Sequence, residues 1–446
     1  MNPEQSPIKI TARWDHGQAP IGEAVVRGLL IDIEAAAVDT APQSHRPPVN
    51  LALVIDRSGS MQGAPIHAAI EAAVGVTRQL REGDRLSVVA YDDHIDVLVD
   101  GQAMDAAGKQ RTEQAIRSLH ARGSTDLAGG WLRGARCVAE VMDRHGFESG
   151  HVVLLSDGQA NQGETDPGKL AELAGELAGR NVTSTCVGIG EHYSLLQMAA
   201  IAEHGQGEMH QSSEPEEIIE VLSGEIGEQT QIVARNFTLQ LEGLGVRGAR
   251  QLTRYREHAR RDRQEYFLGS LVGGQKRRVA LLFEFEAQPA AADQHYTLTG
   301  SWLDPQTGNE QLRAKEHFTM HFVPPAQFKE GERDKLVAEE IAQLWMARQG
   351  YDAMLHNERG DYAAAARSLD ENRPVFARMI VDLDAGVEML STHDRLRERT
   401  QERWDGLSKK EYLSFAHKRM RSKFDHRSGR EGQDWADLDR DQQPKP

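Results

Sequence analysis

Asp56, Ser58 and Ser60 stand at alternate positions in the stretch Asp56-Arg57-Ser58-Gly59-Ser60. They offer a carboxylate and two hydroxyls, all hard oxygen donors that can converge on one small cation. An oxygen-only set argues for Mg²⁺, Mn²⁺ or Ca²⁺ over Zn²⁺ or copper. Three ligands are too few for a six-coordinate ion, so other segments must contribute. The preceding run from Leu51 to Ile55 is wholly apolar. It reads as a short strand of a parallel sheet covered on both faces, and Gly59 allows the chain to turn sharply where the strand ends.

Two further segments can complete the donor set. Thr125, in Arg122-Gly-Ser-Thr125-Asp126-Leu127, falls where a helix should begin, and Asp157 closes the apolar run that starts at Val153. Doubly wound α/β sheets collect ligands at the carboxyl ends of their strands, where the strand order reverses. Two strands ending in aspartate on either side of that reversal put both carboxylates at one point.

The ordered set Asp56, Ser58, Ser60, Thr125 and Asp157 resembles the metal-ion-dependent adhesion site of a von Willebrand factor type A domain, over roughly residues 48–230. Each segment alone is ordinary cap or turn chemistry; five positions in order on one α/β pattern are not. The resemblance implies that Ser58, Ser60 and Thr125 ligate Mg²⁺ directly, with Asp56 and Asp157 acting directly or through water. It also implies one open coordination position, to be filled by an Asp or Glu of a partner protein. Bacterial-type cytoplasmic proteins of similar layout are often scaffolds beside chaperone-like ATPases or regulatory kinases and phosphatases.

The elements around this site follow from hydrophobic period. Residues 48–230 alternate strand and helix, which predicts a Rossmann-like doubly wound α/β domain. Ile95–Val99 follows the strand Arg85–Tyr91 too closely for a parallel crossover and should be an antiparallel edge strand. Helices are expected around Lys109–His120 and Leu127–His145, and Ser213 with Glu216 suggests a capping box for a helix reaching Thr230. Residues 231–325 have a period of two, as in a β-sandwich. The strands within 1–47 have no sheet of their own, so they should join that sandwich, making the α/β domain an insertion in it. Residues 326–405 read as a small α-helical hairpin region broken near Gly350 and Gly360. Residues 406–446 run from basic to acidic and read as a flexible tail, with its basic part docking back or binding a partner, and a weak membrane-surface element as the lesser reading.

Composition narrows the function. The formal net charge of −16 over 446 residues argues against a dedicated nucleic-acid binder. Cys137 and Cys186 are too few for a disulfide framework and read as buried thiols. No secretory leader is visible and no apolar run approaches the roughly 18 residues of a membrane span, so a cytoplasmic protein is expected, its oligomeric state open. Gly163 to Leu170 nearly spells a phosphate-binding loop, but Leu170 stands where a hydroxyl is needed, and Pro167 after an Asp166 N-cap explains the stretch. His192, His204 and His210 are irregularly spaced and read as surface or satisfied histidines. Arg247 to Arg263 reads as a solvated basic hairpin, with a docking patch for an acidic partner as the lesser reading.

The expected function is a non-enzymatic, Mg²⁺-dependent protein-interaction module, with signalling from the helix at 214–230 into the sandwich. A Mg²⁺-dependent hydrolase or phosphotransferase is the alternative, with Asp126 or Asp92 as its base, though neither has a visible orienting partner. A scaffold whose metal is purely stabilising is a third reading.

Overall fold

The computed structural model describes residues 7–37, 47–157, 161–190, 194–212, 214–229, 231–243, 249–260, 262–305, 307, 310–400, 402, 404, 412 and 416. Strands Ile8–Trp14 (β1), Gln18–Pro20 (β2) and Val25–Ala35 (β3) come first. An α/β segment follows: Asn50–Asp56 (β4), Ala64–Gln79 (α1), Arg85–Tyr91 (β5), Ile95–Ala103 (β6), Ala106–Arg117 (α2), Leu127–His145 (α3) and Gly150–Ser156 (β7). It continues through Pro167–Gly179 (α4), Val182–Ile189 (β8), Leu195–His204 (α5), Gln206–Ser212 (β9) and Pro215–Gln229 (α6).

The α/β segment forms one sheet in the order β6-β5-β4-β7-β8-β9. Its strands are parallel except β6, which runs antiparallel to β5 because only a short turn joins them. The chain goes from β4 to β5 on one side and returns to β7 on the other, so the order reverses between β4 and β7. Every residue of β4 and β7 is buried, as a central strand covered by helices on both faces requires. Helix α3 lies low on β4: a Cβ on Gly134 would come within 2.3 Å of Val54 Cγ2. That close approach carries the N-terminus of α3, with Thr125 and Asp126 just ahead of it, to the tip of the sheet. Helix α6 begins at Pro215; the Ser213 half of the expected capping box lies outside the described residues.

Beyond α6 the chain forms Ile232–Glu242 (β10), Arg250–Gln251 (β11), Arg256–Ala259 (β12), Arg263–Val272 (β13), Lys276–Phe285 (β14), Ala292–Asp304 (β15) and Glu310–Val323 (β16). Two sheets result, β1-β3-β14-β11 and β12-β13-β10-β15-β16-β2. Strand β3 pairs along its whole length with β14, from Val25 with Phe285 to Glu34 with Lys276, and β2 adds a short parallel edge to β16. The strands before the α/β segment therefore complete sheets whose other strands come after it. The two inner faces share a core that includes Ile31, Ile33, Phe237, Leu239, Tyr266, Leu281 and Leu298.

Helices Lys335–Glu358 (α7), Tyr362–Ile380 (α8) and Gly386–Arg399 (α9) cover the outer face of the four-stranded sheet. Leu30, Ala280 and Leu282 pack there against Val337, Ile341, Trp345 and Phe376, so β3 and β14 are apolar on both sides. The break expected at Gly350 is absent, since α7 runs through it. Glycine is needed there for contact: a Cβ would meet the Tyr412 hydroxyl at 1.7 Å. Trp404, Tyr412 and Ala416 are buried in a cluster with residues of α7, α8 and α9; the rest of the basic segment and tail lies outside the described residues. No described helix is long and apolar enough to cross a membrane.

The basic stretch around residue 255 is in part the solvated hairpin expected, since β12 is exposed along its length and pairs with β13, but several of its arginines also form a seam between modules. Arg254 forms an ion pair with Glu203 of α5 at 2.8 Å, and its guanidinium sits 3.6 Å over the ring of Tyr351 in α7. Arg256 donates to the Gly175 carbonyl of α4 at 3.0 Å, and Arg250 lies over Trp345. Asn236 of β10 donates to Asn181 at 2.7 Å. Composition could show the arginines but not the carboxylate and rings that other elements bring to them.

Candidate metal centre

Asp56 ends β4 and Asp157 follows the adjacent β7, at the reversal of strand order where an open α/β sheet leaves a crevice. Asp56 is fully buried and serves the framework: its Oδ1 accepts the Ser58 amide at 2.8 Å and its Oδ2 the Ser156 hydroxyl at 2.5 Å. Burial pushes its carboxyl above the usual range, and the hydrogen bonds from Ser156 and Ser58 offset part of that rise. Asp56, Ser156 and the buried Tyr91 hydroxyl beside them make up the floor of the site.

Above this floor the oxygens form a chain. The Ser58 and Ser60 hydroxyls are 3.1 Å apart, and the Ser60 hydroxyl donates to Asp157 Oδ1 at 2.9 Å. Thr125, only 3% exposed, belongs to a loop stitched to both neighbours. On one side Gly59 N–H donates to the Gly123 carbonyl at 3.0 Å, and Arg122 N–H to the Arg57 carbonyl at 2.6 Å. On the other, the Thr125 amide donates to Asn161 Oδ1 at 3.0 Å, and the Thr125 carbonyl accepts from the amides of Asn161 and Gln162. The five residues singled out in the sequence thus gather at one tip of the sheet.

The donor set fits a hard cation. An octahedral ion with bonds of 2.0–2.1 Å places neighbouring ligand oxygens about 3 Å apart, and the hydrogen-bonded oxygens at 3.1 and 2.9 Å stand at that spacing. All five donors are oxygens, which suits a hard divalent cation better than a soft one.

Ser156 and Asn161 hold Asp56 and Thr125, and the sequence reading missed both. Ser156 could have been suspected from its place just before Asp157; Asn161 had no signal beyond lying in the same loop. The candidate bases of the hydrolase reading are committed elsewhere. Asp126 caps α3, accepting the Gly129 amide at 2.9 Å, and Asp92 is fully buried between Arg57 and Arg122. Asp166 caps α4 ahead of Pro167, as expected of a helix start and not of a phosphate loop. His210 faces Glu225 at 3.3 Å, a satisfied histidine, while His192 lies outside the described residues.

The sheet, parallel except for β6, carries this oxygen cluster at its carboxyl edge, and residues 50–223 match the family model of the von Willebrand factor type A domain. An uncharacterized protein of Synechocystis is 31% identical over 193 residues, covering 43% of this chain and 44% of the relative. The uncharacterized protein YfbK of Escherichia coli is 26% identical over 302 residues, covering 65% of this chain and 50% of the relative. The chain thus spans half or less of the length of these two curated relatives. The solved structure titled von Willebrand factor type A from Catenulispora acidiphila superposes with a TM-score of 0.65 at 18% identity, covering 94% of this chain and 97% of that one. That likeness speaks for the fold, and it extends well beyond the α/β domain.

Proposed function

We propose that this chain is a metal-dependent protein-interaction scaffold that grips a carboxylate of a partner protein through Mg²⁺. Ser58, Ser60 and Thr125 ligate the ion directly, and Asp56 and Asp157 act directly or through water. One coordination position then remains for an Asp or Glu of the partner. The observation that carries this reading is the Ser58–Ser60–Asp157 chain, whose spacings of 3.1 and 2.9 Å suit neighbouring ligands of one small ion. Few of the direct ligands carry charge, so the bound ion stays electrophilic and attracts an anionic oxygen. Domains of this type mediate metal-dependent contacts between proteins and are generally not enzymes, and the commitment of Asp92 and Asp126 to structure supports the same view here.

The test is calorimetric titration of Mg²⁺ into chelator-stripped protein, followed by partner capture in Mg²⁺ and in chelator. Saturable binding should weaken at least about 10-fold in Thr125→Ala, with capture lost in parallel. Equal Mg²⁺ affinity in wild type, Thr125→Ala and Asp157→Ala would sink the proposal.

A further inference from the structure

Just outside the oxygen cluster lies a carboxylate with an unusual number of attachments. Asp92 follows β5, the strand paired with β4, and its side chain has no exposed surface. Its Oδ2 accepts from Arg57 Nε at 3.0 Å and from Arg122 Nε at 2.7 Å, and its Oδ1 accepts the His94 amide at 2.7 Å. Its main-chain carbonyl accepts the Asp126 amide at 2.9 Å. The contacts are distributed with a pattern. Arg57 sits between Asp56 and Ser58, Arg122 lies three residues before Thr125, and Asp126 follows Thr125. One buried carboxylate therefore fastens both loops that supply hydroxyls to the centre.

Asp96 completes the group. Its Oδ2 meets the outer nitrogen of Arg57 at 2.5 Å and that of Arg122 at 3.3 Å. Two carboxylates face two guanidiniums, and Asp93 adds a further negative charge near Arg122, so the arginines are fully balanced. The buried charges of Arg57 and Asp92 are tolerable only because they are paired in this way, and the balance matters beside a cation, which unpaired arginines would repel.

We infer that Asp92 is a positioning residue of the metal centre, holding the Ser58–Ser60 loop and the Thr125 loop at ligand spacing through Arg57 and Arg122. This rests on the reading that the centre binds Mg²⁺. Asp92 touches no ligand oxygen itself, and its effect is on how well the hydroxyls are preorganised. Groups that orient metal ligands in this indirect way typically contribute 10- to 100-fold in metal affinity.

The sign of one substitution separates positioning from plain electrostatics. Arg122→Gln removes a positive charge near a cation site, so electrostatics alone would tighten Mg²⁺ binding, whereas loss of positioning loosens it. Arg122 is 47% exposed at its side chain, so the fold tolerates the change. Mg²⁺ is titrated into the stripped full-length chain, and melting is followed in chelator. Arg122→Gln should weaken Mg²⁺ about 10-fold while melting in chelator within a few degrees of wild type. Arg122→Lys, which can still reach Asp92, should recover part of the loss. Asp92→Asn should weaken Mg²⁺ further. Unchanged or tighter binding in a folded Arg122→Gln overturns the inference, as does weakening that merely tracks a lower melting point in chelator. A wild type that fails to bind Mg²⁺ overturns the proposed function, whereas a wild type that binds no better than the variants overturns only the inference.

Discussion

The two ends of the α/β domain use polar residues in opposite ways. At the carboxyl ends of the strands, the oxygens of Ser58, Ser60 and Asp157 lie in a row at 3.1 and 2.9 Å, with the Thr125 loop fastened beside them. At the amino ends, near Glu148, Asn181 and Gln206, the domain rests on the sandwich and helices through closed contacts: Arg254 on Glu203 and Tyr351, Arg256 on Gly175, Asn236 on Asn181. The three described non-glycine residues with left-handed backbone, Asn181, Gln206 and Asn236, all lie along this seam. Such backbone persists only where the surroundings hold it. The base is a finished joint, while the tip is where the proposed ion would be held.

The comparison can be broken at the joint. Arg254→Ala leaves the buried Glu203 without its arginine and takes the cation off Tyr351. It should cost about 3–5 kcal/mol of stability, measured by urea unfolding, with Mg²⁺ affinity of the folded fraction unchanged within about 2-fold. A parallel collapse of Mg²⁺ affinity would show that tip and base are not independent. Gly350→Ala should have a smaller effect, about 1–3 kcal/mol for overpacking, by pushing Tyr412 off α7. The emission of Trp404, stacked edge-on against Tyr412 at 5.6 Å, reports the displacement, and the tip should again be silent.

The smallest effect concerns pH. Asp370 and Asp394 pair with Arg397 and Arg373 between α8 and α9, and these guanidiniums hold both carboxyls below the ordinary 3.8. A depressed carboxyl stabilises the fold fully above its unfolded value and loses that contribution as pH falls through the folded one. The helices should therefore loosen slightly below about pH 4. The pairs are more than a third exposed, so screening keeps the loss below that of either substitution. Helical circular dichroism against pH, with Asp394→Asn as the reference, measures it.

How far the sequence could be read follows from the range of each interaction. The tip was legible because each donor sits beside a local signal: an apolar run stopped by aspartate, or a hydroxyl just before a helix. The split sandwich was legible because its alternation survives on both sides of the insertion. Strand β2, three residues long, carries no such period. The hairpin was read as solvated, and β12 is exposed, but the seam went unseen because Arg254 finds Glu203 and Tyr351 only after three modules have assembled, and a run of arginines looks the same in water or against an acid. Asp92 was noticed near the rim, but Arg57 and Arg122 could not be assigned to it before β5 was laid beside β4.

The pairing of β3 with β14 has a consequence for how the protein is made. Glu34 and Lys276 meet across 242 positions of sequence. At about 5–20 residues per second on a ribosome, β3 emerges roughly 12 to 48 seconds before its partner. The whole α/β domain is synthesised in that interval. During it, β3 can pair only with β1, leaving one hydrogen-bonding edge bare beside Leu29, Leu30, Ile31 and Ile33. Arg27, Asp32 and Glu34 interrupt that apolar stretch, as charges do where a nascent strand must stay soluble while it waits.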